Sequence, residues 1–149
     1  YGLQLPVFRF SSLGLLAMGA ALQIKNDSGN KVFAAAFDAR QDESYVGFYR
    51  IKDGIPQTIM PDALVKPAAF DLADVAKEHE LAELVLSGPG WQVYPSLMTG
   101  AESVIVANDF DRLPQAINLL SLAEEGHRAG KLTDAFAAQP NYLRDKVTD

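Results

Sequence analysis

The sequence of 149 residues contains no cysteine, which excludes disulfide bonds and cysteine-based metal or redox sites. It has only two histidines, His79 and His127, and their spacing matches no metal-binding or metalloprotease pattern. No serine lies in the glycine-flanked pattern of a hydrolase nucleophile. We therefore expect no catalytic residue, no metal site and no cofactor in this chain.

Positive charge is also scarce, since 13 Lys and Arg stand against 19 Asp and Glu and the formal net charge is −6. The basic residues are scattered, and binding to RNA or to an anionic membrane needs clustered Lys and Arg. We expect the chain to use neither kind of partner through its own charge. The apolar segment Leu13 to Ile24 is too short to span a bilayer and lacks the basic leader of a signal peptide. These features predict a cytoplasmic protein.

The composition is that of a folded domain. Hydrophobic residues make up 48% of the chain and charged residues 21%, which is enough to bury one core at this length. The opening segment, Tyr1 to Pro6, is typical of a helix that runs into a strand. We therefore expect the chain to be part of something longer.

A strand and an apolar helix are predicted first. Val7 to Phe10 has the composition of a short strand, and Ser11 or Ser12 can cap the helix from Leu13 to about Lys25. Because this helix is apolar on most faces, it must be buried or covered by a partner. An uncovered face would drive self-association, so we expect dimerisation or low solubility. The turn residues Asn26 to Asn30 predict a loop.

Three strands joined by short turns are predicted next, at Val32 to Phe37, Ser44 to Lys52 and Ile55 to Met60. Asp53-Gly54 is a strong hairpin signal, because both central positions of that turn require positive φ. Pro56 places the third strand at an edge of the sheet. These strands form an antiparallel meander.

Helices and strands alternate in the second half. Asp71 caps a short helix. The apolar face of that helix consists of Leu72, Val75, Ala76 and His79. Buried strands are expected at Leu84 to Leu86 and Ser103 to Ala107. The order of elements predicts an α/β fold, in which helices pack on a mixed sheet that contains the antiparallel three-strand meander.

The last helix is expected to begin at Asp109 or Asp111, with Pro114 in its first turn, and to end at Gly130. Its apolar stripe consists of Ala116, Leu119, Leu120 and Ala123.

The densest polar cluster lies between the first two strands of the meander and includes Asp38, Arg40, Glu43 and Tyr45. In one interpretation, Asp38 and Glu43 join Asp109 to hold Mg²⁺ for a phosphotransferase or nuclease reaction. In the other, the cluster is a charged turn in which Arg40 pairs with Asp38 or Glu43.

A second cluster is the glycine turn Gly88-Pro89-Gly90-Trp91, which follows a strand. Glycine amides at such a turn can approach a phosphate or an adenosine. Pro89, however, removes one amide donor. The alternative is a tight turn that is anchored by the packing of Trp91.

Four segments together resemble the TsaB (YeaZ) family, and they occur in the family's order. They are Phe33 to Arg40 with Glu43 and Tyr45; Gly88 to Trp91 with Tyr94 and Pro95; Leu113-Pro114; and Pro140 with Tyr142-Leu143-Arg144.

The resemblance implies the C-terminal portion of a two-lobed protein with a ribonuclease-H-like (actin-like ATPase) fold. Residues 1–25 would be the end of the first lobe or the junction, residues 26–138 the second lobe and residues 139–149 a tail. The candidate binding residues would face the cleft between the lobes: Asp38, Arg40, Glu43, Tyr45, Gly88 and Gly90.

The resemblance also implies a function in forming threonylcarbamoyladenosine in tRNA. The family member is a non-catalytic partner subunit that supports the catalytic subunit TsaD in a heterodimer, and TsaE joins the larger complex. ATP and metal are then expected on the partner subunits, and tRNA is contacted indirectly through the complex. The labels "glycoprotease-like" and "M22 peptidase homologue" would be names only, since this sequence has no metal-binding histidine pair.

Overall fold

The computed structural model describes residues 5–24 and 29–144. The expectations for the first four residues and for most of the loop Asn26 to Asn30 lie outside the described residues. The helices and strands follow in the order α1 (Ser12–Gln23), β1 (Val32–Arg40), β2 (Glu43–Lys52), β3 (Ile55–Val65), α2 (Leu72–Glu78), β4 (Leu84–Ser87), α3 (Gly90–Val93), β5 (Ile105–Asp109) and α4 (Ile117–Arg128). A short 3-10 helix, Pro95–Met98, follows α3.

The five strands form one mixed sheet in the order β3-β2-β1-β4-β5. The β1–β2 and β2–β3 pairs are antiparallel, whereas β1–β4 and β4–β5 are parallel. The predicted meander and the edge position of its third strand are therefore confirmed. The turn between β2 and β3 has φ values of 52° at Asp53 and 76° at Gly54, as the hairpin signal requires.

Strand β1 lies between the antiparallel and the parallel part of the sheet, and side chains cover both of its faces. Val32, Ala34 and Ala36 pack in one core with Trp91 and with residues of α2. Residues of opposite parity, Phe33 and Ala35, pack in a second core with α1. This alternation follows from the two-residue period of a strand.

Helix α1 is buried by the chain's own sheet. Residues 13–20 are all buried, and their apolar side chains pack against β1, β2 and β4. Ser11 caps the helix, because its Oγ accepts from the amides of Leu13 at 3.2 Å and Gly14 at 3.3 Å. The helix is therefore a core element over the described residues, and self-association of the chain stays a prediction.

Ser11 also ties the start of α1 to two strands. Its hydroxyl donates to a carboxylate oxygen of Asp62 on β3, and the Tyr49 hydroxyl on β2 donates to the other oxygen. The hydroxyl oxygens of Tyr49 and Ser11 are 3.2 Å apart. Burial, and then the hydrogen bond to Asp62, raise the pKa of the Tyr49 phenol well above its usual value. The phenol therefore remains a proton donor in this network.

Two expectations about the chain's extended segments are wrong. Val7 to Phe10 is not a strand, since only Val7 forms a bridge, with Thr133. The last helix does not begin at Asp109 or Asp111. Asp109 is the last residue of β5, and α4 begins at Ile117. Pro114 therefore does not lie in the first turn, contrary to the expectation; it disfavours the helical region for Leu113 and so prevents a helix from running through residues 111–113.

The apolar stripe of α4 also differs from the predicted one. Leu122 and Gly126 are the buried positions of this helix, whereas Leu120 is 66% exposed. The ring of Phe8 fills the space that a side chain at position 126 would occupy. The helix ends as predicted, because Gly130 has φ +67° and the Lys131 amide donates to the carbonyl of Gly126 at 2.8 Å.

Replacing Ser11 by Ala should lower the free energy of unfolding by about 2 to 3 kcal/mol, because it removes a helix cap and leaves Asp62 short of a donor in a partly buried position. The matched control is Asp71→Ala, which removes only the cap of α2 and should cost about 1 kcal/mol. Urea denaturation measures both values. Equal losses in the two variants would contradict a second role for Ser11.

Candidate functional site

The turn between β1 and β2 has an unusual backbone. Arg40, Gln41 and Asp42 have φ values of 62°, 54° and 54°, in the left-handed region that residues other than glycine seldom adopt. Three such residues in succession are costly unless surrounding contacts determine their conformation. The contacts of this turn therefore decide whether it holds its shape.

Arg144, from the end of the described chain, makes those contacts. Its Nη2 atom lies 2.6 Å from Glu43 Oε2 and 2.9 Å from the carbonyl oxygen of Ala39, and it also reaches the Arg40 carbonyl at 3.3 Å. Its Nη1 atom donates to the side chain of Gln41. The side chains of Arg144 and Glu43 are 14% and 18% exposed, so this ion pair is largely withdrawn from water. The tail thus clamps the turn.

Asp38 precedes the turn and lies on the face of β1 that also carries Ala34 and Ala36. Its Oδ1 atom accepts from the Arg40 amide at 2.8 Å and from the Tyr94 hydroxyl at 2.8 Å. The Arg40 amide, followed by the Tyr94 hydroxyl, lowers the pKa of Asp38 below its usual value. The cluster is a charged turn, as one interpretation proposed, but Glu43 pairs with Arg144 rather than with Arg40.

The three carboxylates of the metal-dependent alternative do not converge. Asp38 lies on the same face of β1 as Ala34 and Ala36. Asp109 lies on β5, where it pairs in register with Ser87, and its Oδ2 atom is 2.5 Å from the Nε atom of Arg112. Over residues 5–24 and 29–144, no group of three His, Asp or Glu residues could hold a metal ion. A divalent ion held by Asp38, Glu43 and Asp109 is therefore wrong for this fold.

The glycine turn packs directly against β1. Gly88 has φ +93°, and a Cβ atom there would lie 2.5 Å from the carbonyl oxygen of Ala36. A Cβ atom at Gly90 would lie 2.7 Å from the same residue's carbonyl carbon. Trp91 is fully buried, and its Nε1 donates to the Ala34 carbonyl at 3.0 Å. This geometry favours the tight turn anchored by Trp91, and a binding role of the two glycines stays a prediction.

An open groove with a volume of about 1320 Å³ runs beside the clamped turn. Of the residues expected to face a cleft, Arg40 and Tyr45 line the groove, whereas Asp38, Glu43, Gly88 and Gly90 do not. We name it the basic groove after its four cationic residues, Arg9, Arg40, Lys131 and Arg144. Of these four residues, the sequence predicts only Arg40 as a site residue. Arg144 belongs to the tail segment that resembles the family, and no sequence pattern marks Arg9 or Lys131 as part of a site.

The architecture defines the class of protein. A five-stranded mixed sheet, with an antiparallel meander followed by parallel strands and with helices on both faces, is the ribonuclease-H-like, actin-like fold. No helix of the described residues is long and apolar enough to cross a membrane.

Known proteins place the chain more closely. No family model matches the sequence. It is 33% identical over 148 residues to the tRNA threonylcarbamoyladenosine biosynthesis protein TsaB of Escherichia coli, covering 98% of this chain and 60% of that protein. YeaZ from Pseudomonas aeruginosa superposes with a TM-score of 0.72 at 32% identity, over 93% of this chain and 59% of that one. The TM-score is 0.74, at 34% identity and with the same coverage, for a second crystal structure from Pseudomonas aeruginosa. That structure is described as an uncharacterized protein with similarity to peptidase YEAZ.

The chain is similar to TsaB (YeaZ) proteins along nearly its whole length. It spans about 60% of the length of the relatives it matches, which fits the expectation of a C-terminal portion. The division into residues 1–25, 26–138 and 139–149 stays a prediction.

Replacing Gly88 by Ala should lower the free energy of unfolding by about 3 kcal/mol or more, because the new methyl group collides with the β1 backbone at a strained φ. Gly54→Ala is the matched control. Gly54 has φ +76° but open space around it, so its loss should be only about 1 kcal/mol. Chemical denaturation of both variants separates the collision from the backbone strain. Similar losses would contradict the packing role of Gly88.

Replacing Arg144 by Ala should cost about 2 to 3 kcal/mol and expose the amides of residues 39–43 to hydrogen exchange, since Glu43 and two carbonyls lose their partner. Arg128→Ala is the control, because its ion pairs on α4 are exposed to water and should contribute little to stability. Unchanged exchange in the 39–43 turn of the Arg144 variant would refute the clamp.

Proposed function

We propose that the chain supplies the second lobe of a non-catalytic subunit that supports TsaD in forming threonylcarbamoyladenosine in tRNA. The observation that carries the proposal is the 33% identity along 98% of the chain to a protein named for this biosynthesis. Because the match runs along nearly the whole chain, the proposed role is assigned to the chain as a whole.

The state of the polar side chains supports a non-catalytic role. Asp38, Glu43 and Asp109 each bind a partner within the chain, and an acid or base that is already engaged is poorly placed to move a substrate proton. The ATP and metal that the chemistry needs are then expected on TsaD and TsaE. The chain contributes shape and contact surface to that complex.

A peptidase reaction has no support in the described geometry. Ser11, the partly buried serine at the groove, is bonded to Asp62 and Tyr49 rather than to a histidine. His79 and His127 lie at the C-terminal ends of α2 and α4, and neither lines the basic groove. A nucleophilic serine needs a general base within hydrogen-bonding distance.

A chimera tests the proposal. The segment of Escherichia coli TsaB that aligns with this chain is replaced by the chain, and the fusion is expressed in cells depleted of their own TsaB. We expect the fusion to co-purify with TsaD and to restore threonylcarbamoyladenosine in tRNA, measured by mass spectrometry of nucleosides. The purified chain, given tRNA, threonine, bicarbonate and ATP without partners, should form none.

The control is the same fusion with Leu16→Asp, which places a charge in the core beneath α1 and should abolish the effect through misfolding. A fusion that folds and binds TsaD but restores no modification would refute the proposal. Formation of the product by the chain alone would refute the non-catalytic part.

A further inference from the structure

Four of the 13 basic residues of the sequence converge on one surface. Arg9, Arg40, Lys131 and Arg144 all line the basic groove, although they are spread over most of the chain. We infer that the basic groove binds a single-stranded segment of RNA directly. The inference rests on the proposed function, in which the chain takes part in a modification of tRNA.

The groove keeps net positive charge in an acidic chain. Arg144 is neutralised by Glu43, but Arg9 donates only to the uncharged carbonyl of Gln139, at 2.8 Å. The side chains of Arg40 and Lys131 have no hydrogen bond or ion pair with any other described residue. Arg9, Arg40 and Lys131 therefore form no ion pair with described residues, and part of the Arg40 charge acts on the nearby Asp38 carboxylate.

Negative charge inside the groove is limited to one residue. Asp62 is the single carboxylate among the lining residues of the described part of the chain, and the hydroxyls of Ser11 and Tyr49 occupy both of its oxygens. Asp38, two residues from Arg40, bonds to Tyr94 and does not line the groove. An anion that enters the basic groove meets more positive than negative charge.

Aromatic rings provide the second half of a binding site for single strands. Phe8, Phe10, Phe37 and Tyr45 line the groove but are partly buried against the cores that contain α1, so they form its apolar wall. Tyr142, next to Arg144 in the tail, is 72% exposed. Cations that follow a backbone and aromatic faces on which bases stack are the two elements that unspecific single-strand binding needs.

The dimensions favour a polymer over a free nucleotide. Small-molecule pockets have volumes of about 300 to 1,000 Å³ and enclose their ligand, whereas the basic groove is open and has a volume of about 1320 Å³. An acidic peptide could meet the same cations, but it offers no base to stack on the exposed ring of Tyr142 at the groove. Single-stranded RNA therefore fits best.

Fluorescence anisotropy with a labelled ten-nucleotide oligouridylate tests the inference on the purified chain. We expect micromolar binding at 50 mM salt that weakens about tenfold at 200 mM, because release of counterions from two or three phosphates gives roughly that dependence. A duplex RNA of equal length should bind several-fold more weakly, since its bases cannot stack on the rings.

Variants locate the binding. Arg40→Ala combined with Lys131→Ala should weaken it at least tenfold and reduce the salt dependence, and Tyr142→Ala should weaken it about threefold without changing the salt dependence. The matched control is Lys77→Ala, an exposed lysine on α2 outside the groove, which should leave the affinity unchanged. Circular dichroism checks that each variant is folded.

Three results would overturn the inference: no saturable binding at 50 mM salt, an equal loss with Lys77→Ala, or displacement of the RNA by a glutamate decapeptide at the same concentration as unlabelled RNA. The last result would identify an acidic peptide as the ligand. If the chimera restores tRNA modification while the chain binds no RNA, only this inference fails. If RNA binds but the chimera restores nothing, the proposed function fails instead.

Discussion

The burial of β1 on both faces is the constraint on which the rest of the described structure depends. Five consecutive residues, Val32 to Ala36, are no more than 1% exposed. The alanines at alternate positions are small enough for α1 to approach from one side and for the turn at Gly88 and Trp91 to approach from the other. Close packing of this kind tolerates little added volume. The glycines of the turn are therefore explained by the neighbouring strand before any ligand is considered.

The same strand creates the polar site at its end. Where the buried run stops, the chain turns back through three residues with positive φ, a conformation that persists only when contacts around it hold it in place. Arg144 supplies donors to the carbonyl groups of Ala39 and Arg40 and to Glu43, so one guanidinium both neutralises a carboxylate and fixes the backbone. The position of the tail and the shape of the turn are consequently coupled, and the wall of the basic groove depends on both.

Local signals explain which parts of this fold could be predicted. The strands of the meander, the Asp53-Gly54 turn and the cap at Asp71 are determined by neighbouring residues, and the sequence predicts all of them. The start of the last helix differs from the expectation because Asp109 is taken up by β5, and Pro114 lies before the helix rather than in its first turn. The Glu43–Arg144 pair joins residues 101 positions apart, and no periodicity reports such a contact. Arg9 and Lys131 are likewise far apart in the sequence, and only the tertiary structure brings them to the same groove.

Net charge and available charge differ in this molecule, and the difference bears on what it can bind. The chain carries −6, yet Asp38, Glu43 and Asp109 are held by Tyr94, Arg144 and Arg112. Arg40 and Lys131, by contrast, form no ion pair with another described residue. A carboxylate that already accepts hydrogen bonds repels an approaching phosphate less locally than its formal charge indicates, because its field is partly compensated. The overall charge opposes long-range attraction of RNA, so the proposed contact depends on attraction over a few ångströms within the basic groove. A scaffold role and a direct RNA contact are therefore compatible in one acidic chain.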